Sequence, residues 1–297
     1  NDKGLISLIS RALTDLTKKD NPKKTPSKFG LFKNKAANKN CFVLDFHGDI
    51  KATEVQQLRE EISTLLTVAQ AEDEVIVRLE SSGGMVHAYG LAAAQLARIK
   101  EAGLNLTVCI DKVAASGGYM MACVADKILA APFAVVGSIG VVAQVPNFHD
   151  LLEKHDIDVE VFTAGKYKRT VTVFGENTEE DKQKFQQELE ETHKLFKDFV
   201  RKYRPSLDVE QVATGEHWYG EDAITRNLVD ALQTSDSYIL EKMTDSELYA
   251  IQSRQKPTIA QKLGISQAAQ AVVATAIDKL PDALAKLESA KMPMVKK

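Results

Sequence analysis

The sequence lacks the short motifs that identify several common enzyme classes. It contains no GxSxG nucleophile elbow, no HExxH zinc motif, no CxxC pair, no Walker A loop and no GxGxxG dinucleotide loop. No motif therefore supports a zinc peptidase, a dithiol oxidoreductase, or an enzyme that binds nucleotides through such loops. Any chemistry has to be sought in less specific residues and loops.

Cysteine and histidine are also scarce. The three cysteines cannot form a closed disulfide set, and each lies among apolar neighbours, so we predict buried free thiols at Cys41, Cys109 and Cys123. None of the six histidines has a spacing that specifies a metal site, and each is expected on the surface or in the core: His47, His87, His149, His155, His193 and His217. A Ser-His-Asp triad built from distant positions stays open, without support from spacing.

No uninterrupted hydrophobic run is long enough for a membrane span. The longest uncharged stretch, residues 128–148, is broken by Pro132, Gly137, Gly140 and Pro146 into pieces of strand length. We therefore interpret it as core. Because the sequence starts at Asn1 rather than at a methionine, we expect a membrane-associating segment upstream of residue 1.

The charge is unevenly distributed along the 297 residues. Residues 1–40 hold ten Lys and Arg against three Asp and Glu, about +7, whereas the rest of the chain carries about −10. This first part is poor in core-forming residues and rich in Asn and Pro, which predicts a basic linker. It could lie beside anionic lipid or simply be solvated, and charge alone does not choose between the two.

From Cys41 onward, short β-branched runs alternate with helical patterns, which predicts an α/β fold of repeated βαβ units with flanking helices. The hydrophobic content of 44% is enough for a substantial core. The predicted strands are CFVLDFHG, EVIVRLE, LNLTVCI, KILAA, SIGVVA and IDVEVF, and the predicted helices include 53–70 and a capped helix from Thr178 to Tyr203.

We predict three regions in the chain. Residues 1–40 form the basic linker, residues 41–236 the main domain, and residues 237–297 a helical extension. Strand character ends beyond Asp245, and an Ala-rich amphipathic helix over Ser266–Glu288, broken by Pro281, is more suited to docking a partner subunit than to chemistry.

The stretch VAASGGYM places one hydroxyl, that of Ser116, at a predicted helix start between small residues and two glycines. The positive end of a helix favours developing negative charge, and the Gly117 N–H can bind an oxyanion there. In SSGG, Gly83 and Gly84 also follow a strand and precede a helix, so their N–H groups can face the same pocket. A simple turn and an ordinary N-cap are the alternative interpretations.

A serine nucleophile needs a base, and a lysine kept neutral by burial can serve. TAGKYKRT supplies Lys166 and Lys168, both after the predicted strand IDVEVF, whose carboxyl end could reach the same cleft. Two residues apart in an extended segment, they would point the same way, so alternation does not choose between them. Both could also be solvated loop lysines.

Several sequence blocks together resemble the signal peptide peptidase A family, in its SohB branch of inner-membrane peptidases. The resemblance covers roughly residues 41–236 and is carried by FVLDF, SGGMVHAYGLAA, DKVAASGGYMMACVADKI, VGSIGVVAQVPNF, TAGKYKRT, GENTEE, FKDFV and VATGEHWYG. It implies a ClpP/crotonase-like fold and a Ser-Lys dyad without metal or nucleotide cofactor. The roles that it implies are Ser116 as nucleophile, Lys168 as general base, Ser138 as the serine that orients the lysine, and Gly83 and Gly117 as oxyanion donors.

The resemblance also implies a biological setting. It suggests a peptide or unfolded protein substrate in or beside the bacterial inner membrane, a homo-oligomeric ring, a periplasmic catalytic domain and no nucleic-acid partner. One departure is Ser82, where members of the family usually have proline before the paired glycines. Two alternatives stay open: an inactive membrane-associated scaffold of the same fold, and a crotonase-like acyl-CoA enzyme, which would need neither Ser116 nor Lys168.

Overall fold

The computed structural model describes residues 39–253, which form a largely parallel sheet with helices packed against it. The strands of this part of the chain are β1 (Asn40–Gly48), β2 (Glu74–Ser81), β3 (Asn105–Ile110), β4 (Val113–Ala115), β5 (Lys127–Ala130), β6 (Val135–Gly137), β7 (His217–Tyr219), β8 (Ala231–Leu232) and β9 (Glu247–Ala250). The helices are α1 (Val55–Leu65), α2 (Val86–Glu101), α3 (Gly117–Ala122), α4 (His149–Glu153), α5 (Glu179–Tyr203), α6 (Val209–Val212), α7 (Gly220–Thr225) and α8 (Ser235–Lys242).

The sheet is organised around β2. Its strand order is β7-β6-β4-β2-β3-β5-β8, and β1 pairs with both β2 and β9. All of these pairs are parallel except β6 with β7. Strand–helix–strand crossovers join β1 to β2 and β2 to β3, as parallel pairing requires. The predicted α/β fold of repeated βαβ units is confirmed.

One structural detail of β2 creates the site described below. Along most of its length β2 pairs with β3, as far as Arg78 opposite Cys109, but at its carboxyl end Ser81 pairs with Ala114 of β4. Strand β2 therefore changes its pairing partner on this side from β3 to β4 at Ser81. This change brings the loop after β2 against the loop after β4.

The core lies on both faces of the central strands. One large cluster contains the buried sides of α1, α2 and α3, including the fully buried Tyr89, Leu96 and Tyr119. A smaller cluster on the opposite face joins Cys41, Ile76, Cys109 and Leu129 to Tyr238 of α8. The apolar spacing on α1 and α2 predicts these buried faces, since residues three or four apart share one side of a helix.

The three cysteines are buried and unpaired, as predicted. Burial raises the pKa of the Cys41 and Cys109 thiols to about 12, with nearby carboxylates acting in the same direction. These thiols are therefore protonated at neutral pH and unreactive, because the thiolate is the nucleophilic form.

Some predicted elements are wrong. IDVEVF is an exposed, irregular segment, and the strand expected at SIGVVA lies earlier, at β6, because Ser138 has a φ of +52° that ends the extended backbone. Strand character also continues beyond Asp245, since β9 pairs with β1. The capping box at Thr178 and Asp181 is confirmed.

Two regions called from the sequence lie outside the described residues: the basic linker and the helix over Ser266–Glu288. The domain boundaries at residues 40 and 236 stay predictions. Within residues 39–253, no helix combines the length and the apolar character needed to cross a membrane.

Candidate active site

A cavity of about 670 Å³ lies at the carboxyl ends of β2, β4 and β6. These strands are neighbours and parallel, so the loops that follow them meet at one edge of the sheet. Its lining residues are Ile50, Ser82, Gly83, Gly84, Val86, Ser116, Ser138, Gly140, Val141, Val142, His193, Thr214 and Gly215. The cavity thus combines hydroxyl groups, glycine backbone and apolar side chains.

Ser116 lies at the turn from β4 into α3. Its φ of +53° is in the left-handed region that residues with a Cβ seldom adopt, and its N–H donates to the Gly137 carbonyl at 2.8 Å. Ser116 occupies the N-cap position of α3, as the alternative interpretation expects, but its side chain makes no capping hydrogen bond. Local strain of this kind is concentrated at functional sites, where the surrounding structure maintains it.

The SSGG loop packs directly on the Ser116 turn. Gly83 has a φ of +87°, and a Cβ there would lie 2.6 Å from the Gly117 nitrogen and 2.8 Å from both the Ala115 oxygen and Ser116 Cβ. Only glycine fits this contact. The loop is therefore a turn that also brings two backbone segments into close contact.

The two candidate oxyanion donors differ in their hydrogen bonding. The Gly117 N–H has no hydrogen-bond acceptor within the part of the chain that the structure describes, and its nitrogen lies beside Gly83. The Gly83 N–H, in contrast, donates to Ser81 Oγ at 3.0 Å. Its role as an oxyanion donor stays a prediction, and that role requires the N–H to be shared with the substrate or released from Ser81.

Ser138 follows β6 and also lines the cavity. Its φ is +52°, and its N–H donates to the Glu216 carbonyl at 2.6 Å, which holds the turn after β6 against the segment before β7. The parallel pair Ala115 and Gly137 places Ser116 and Ser138 at corresponding strand ends. The structure therefore brings these two serines into one cavity.

The two lysines lie elsewhere in this structure. Lys168 is exposed, is not among the cavity-lining residues, and lies in a turn in which its N–H donates to the Gly165 carbonyl at 3.1 Å. Lys166 is also exposed and forms an ion pair with Glu180 at 3.1 Å. The hydroxyl of Tyr167 and the carboxylate of Glu180 raise the pKa of Lys166, the opposite of what a neutral base needs. The assignment of Lys168 as the base stays a prediction.

His193 is a cavity residue that the sequence prediction missed. It lies on α5, and its Nε2 is buried without a hydrogen-bond partner among the described residues. A buried nitrogen of this kind is uncommon and indicates either a bound water or a group supplied by a ligand. The signal was its spacing, because His193 precedes the buried Phe196 and Val200 by three and seven residues and so shares their face of α5.

The described residues contain no group of three or more His, Cys, Asp or Glu side chains that could hold a metal ion. The cavity is lined by Ser116 and Ser138, both with positive φ, by Ser82 and by His193, and the Gly117 N–H lies next to the lining residue Gly83. This set of groups is suited to nucleophilic attack by a hydroxyl and to binding of an oxyanion.

A parallel α/β fold with a strained serine between two glycine loops is typical of an α/β enzyme that hydrolyses its substrate through a serine. Comparison with known proteins assigns the family. The model named Peptidase family S49 matches residues 98–249, and the model named Peptidase family S49 N-terminal matches residues 7–96. The chain belongs to peptidase family S49.

Named relatives agree with this assignment. The chain is 65% identical over 223 residues to "Probable protease SohB" of Haemophilus influenzae, a match that covers 75% of this chain and 63% of that protein. It is 52% identical over 250 residues to "Probable protease SohB" of Buchnera aphidicola subsp. Schlechtendalia chinensis, with 81% and 82% of the two chains covered. The chain thus spans less than two thirds of the length of the first of these relatives.

Among solved structures, a mutant of the 1510-N membrane-bound stomatin-specific protease aligns with a TM-score of 0.48 and 12% identity, covering 73% of this chain and all of that one.

Proposed function

We propose that the chain is a serine endopeptidase that uses Ser116 as its nucleophile. The observation that carries the proposal is the position of Ser116, at a strained turn with its hydroxyl free of any capping bond and open to a cavity. Membership of peptidase family S49 supports the same activity. Neither rival function draws on this arrangement, because a scaffold needs no free hydroxyl and an acyl-CoA enzyme of the crotonase type needs no nucleophilic serine.

The proposed reaction is acyl transfer through Ser116. Ser116 Oγ attacks the scissile carbonyl carbon and gives its proton to a base, and the carbonyl oxygen becomes an oxyanion bound by the Gly117 N–H. The intermediate then collapses, the C–N bond breaks, and the leaving amine takes the proton from the base. Water then gives a proton to the base and attacks the ester carbon. The second intermediate collapses, the bond from that carbon to Ser116 Oγ breaks, and Oγ takes the proton back from the base, which frees Ser116 and the new carboxylic acid product.

The base in this proposal is Lys168, with Ser138 holding its amine toward Ser116. Support comes from the sequence resemblance and from the location of Ser138 in the cavity beside Ser116. Lys168 is exposed in this structure, so the proposal requires the turn around residues 165–168 to pack against the cavity when the enzyme is active. A lysine moved out of water in this way would favour its neutral form, which accepts a proton.

The proposed substrate is an extended peptide from a membrane-associated or signal-peptide-like protein. Apolar side chains at one side of the cavity, Ile50, Val86 and Val142, are exposed and could contact apolar substrate residues. The basic residues 1–40 could lie beside anionic lipid at the inner membrane. Ring assembly belongs to the same proposal, and the exposed Phe162 is apolar surface that a second copy could cover.

The deciding experiment measures hydrolysis of an unfolded protein by the wild type and by Ser116→Ala. We expect turnover in the wild type and none in the variant, with the same circular dichroism spectrum and the same size in solution. Turnover that survives in a folded Ser116→Ala protein would exclude the serine mechanism. Equal absence of turnover in both proteins would favour the scaffold.

A further inference from the structure

Beneath the Ser116 turn, the buried side chains of Ser81 and Tyr89 contact glycines from three segments of the chain. These glycines are Gly48, Gly83 and the pair Gly117 and Gly118. Ser81 ends β2 and is 2% exposed, and Tyr89 of α2 is fully buried. Their hydroxyl oxygens are 2.6 Å apart. We call this pair the glycine floor.

The hydroxyls of the glycine floor form a directed chain of hydrogen bonds. Tyr89 Oη donates to the Asp49 carbonyl at 2.7 Å, which uses its single proton, and Ser81 Oγ then donates to Tyr89 Oη at 2.6 Å in preference to the Gly48 carbonyl at 3.4 Å. Ser81 Oγ in turn accepts the Gly83 N–H at 3.0 Å. Burial raises the pKa of Tyr89, so its hydroxyl keeps the proton that this chain requires. The chain of hydrogen bonds thus runs from Gly83 through Ser81 and Tyr89 to Asp49.

The floor also contacts the helix that carries the other candidate donor. A Cβ on Gly117 would overlap the Tyr89 ring, and a Cβ on Gly118 would overlap the Ser81 carbonyl oxygen. The first residue of this α3 helix is Gly117, whose N–H has no acceptor among the described residues. One pair of side chains thus touches both candidate oxyanion donors, one through a hydrogen bond and the other through ring packing.

We propose that Ser81 and Tyr89 are positioning residues of the oxyanion hole, which set the separation of Gly83 and Gly117 and hold the Gly83 N–H so that Ser81 Oγ and the oxyanion share it. This inference rests on the proposed function. A rigid spacing between the two donors matters because preorganised donors stabilise the transition state without reorganising during the reaction. Neither Ser81 nor Tyr89 lines the cavity, so the floor acts through the two glycines.

The test is steady-state kinetics of Tyr89→Phe and Ser81→Ala in the full chain. Tyr89→Phe keeps the ring under Gly117 and removes only the hydroxyl, whereas Ser81→Ala removes the acceptor of the Gly83 N–H. We expect kcat to fall about tenfold in each, less than the ~10²–10³-fold typical for loss of a whole oxyanion donor, with KM within about twofold of the wild type. The double variant should fall little further, because either change breaks the same chain.

Tyr119→Phe is the matched control. Tyr119 is also fully buried and its hydroxyl also donates to a carbonyl, that of Leu228 at 2.8 Å, but it makes no hydrogen bond to either glycine. The Tyr119→Phe variant should lose about as much stability as Tyr89→Phe while keeping the wild-type kcat. Equal kcat losses in Tyr89→Phe and Tyr119→Phe would overturn the positioning role, as would an unchanged kcat in Tyr89→Phe and Ser81→Ala.

Two further outcomes separate this inference from the proposed function. A rise of kcat in Ser81→Ala would overturn the inference, because it would mean that Ser81 withholds the Gly83 N–H rather than orienting it. Hydrolysis that does not depend on Ser116 would instead overturn the proposed function, and the inference with it. Unchanged hydrogen-exchange protection at the Gly83 amide in Ser81→Ala would also overturn the inference, because it would mean that Ser81 does not hold that N–H.

Discussion

The Cα of Gly83 lies against the backbone nitrogen of Gly117, so close that a Cβ on Gly83 would be 2.6 Å from that nitrogen. No substitution at Gly83 can keep this contact unchanged. The φ of +87° adds a second restriction, because alanine is strained in that conformation.

Gly83→Ala should therefore reduce both activity and stability. We expect a loss of about 10²-fold or more in kcat if the Gly83 N–H is displaced from the oxyanion, together with a lower melting temperature. Gly90→Ala is the control, since Gly90 lies in α2 with nothing within 4 Å of the added methyl group. That variant should be as stable as the wild type or more so, because alanine is the better helix former. Near-full activity in a folded Gly83→Ala protein would show that the donor assignment is wrong.

The two lysines should respond differently to arginine. Arginine does not deprotonate in the working pH range, so Lys168→Arg should abolish hydrolysis, whereas Lys166→Arg should retain most activity and its ion pair with Glu180. In the wild type, the rate should rise with pH through one ionisation, because only the neutral amine accepts the serine proton. The measurement is the pH–rate profile of all three proteins. An active Lys168→Arg enzyme would exclude Lys168, and a folded but inactive Lys166→Arg enzyme would move the assignment to Lys166.

Ser82→Pro tests the rigidity of the loop between the two glycines and β2. Ser82 is exposed and precedes Gly83, and proline there would reduce the freedom of the unfolded chain. We expect a gain of about 0.4–1 kcal/mol in unfolding free energy with unchanged activity. Chemical denaturation measures the first and peptide hydrolysis the second. A loss of stability would mean that the local backbone of Ser82 is incompatible with proline.

The carboxylate of Glu74 at the start of β2 should make stability depend on acid pH. Burial acts to raise its pKa, but hydrogen bonds from Lys242, Thr107 and Tyr238, each at 2.6 Å, outweigh burial and lower it. A lowered folded pKa means that this stabilisation is complete above the unfolded value of ~4.3 and is lost as pH falls through the folded value.

Urea unfolding at a series of pH values checks this expectation. The wild type should lose stability below about pH 4.3, and Glu74→Gln should be less stable at pH 7 with a flatter acid limb. Glu101→Gln, a change at an exposed carboxylate at the end of α2, should leave both unchanged. An acid limb equally steep in Glu74→Gln would assign the pH dependence to other carboxylates.

The sequence predicts the central strands and helices because the residues that they bury can be recognised from the local pattern of apolar residues. In β1, β2 and β3 most of the buried residues are apolar, with β-branched or aromatic residues such as Phe42, Val75 and Val108, and on α1 the apolar spacing marks the buried face. IDVEVF has the same alternating pattern, yet it forms no strand in the described structure, where all six residues are exposed. A pattern records the preference of a segment, whereas a strand also needs a neighbouring edge to pair with.

The site was predictable in part. Ser116, Ser138 and Gly83 line one cavity, as a reading of strand ends and the family resemblance anticipate. His193 escaped prediction because one histidine on a long polar helix carries no sign of what it faces across the fold. The link from Ser81 through Tyr89 to Asp49 escaped for a different reason, since it depends on the pairing of Ser81 with Gly48 and on how the following helix packs over that strand end.

The pairing of β9 with β1 has a consequence for how the protein can be tethered. Glu247 donates its N–H to the Lys39 carbonyl at 3.0 Å, so the chain enters the described fold beside the point at which its last strand begins. Residue 39 lies at the amino end of β1, whereas Gly48 at the other end pairs with Ser81 near the cavity. At about 3.3 Å per residue, β1 is a spacer of roughly 26 Å. A tether at residue 39 would hold the cavity at that distance from the point of attachment. Lengthening the chain before Asn40 would let Ser116 act farther from the attachment point without altering the site.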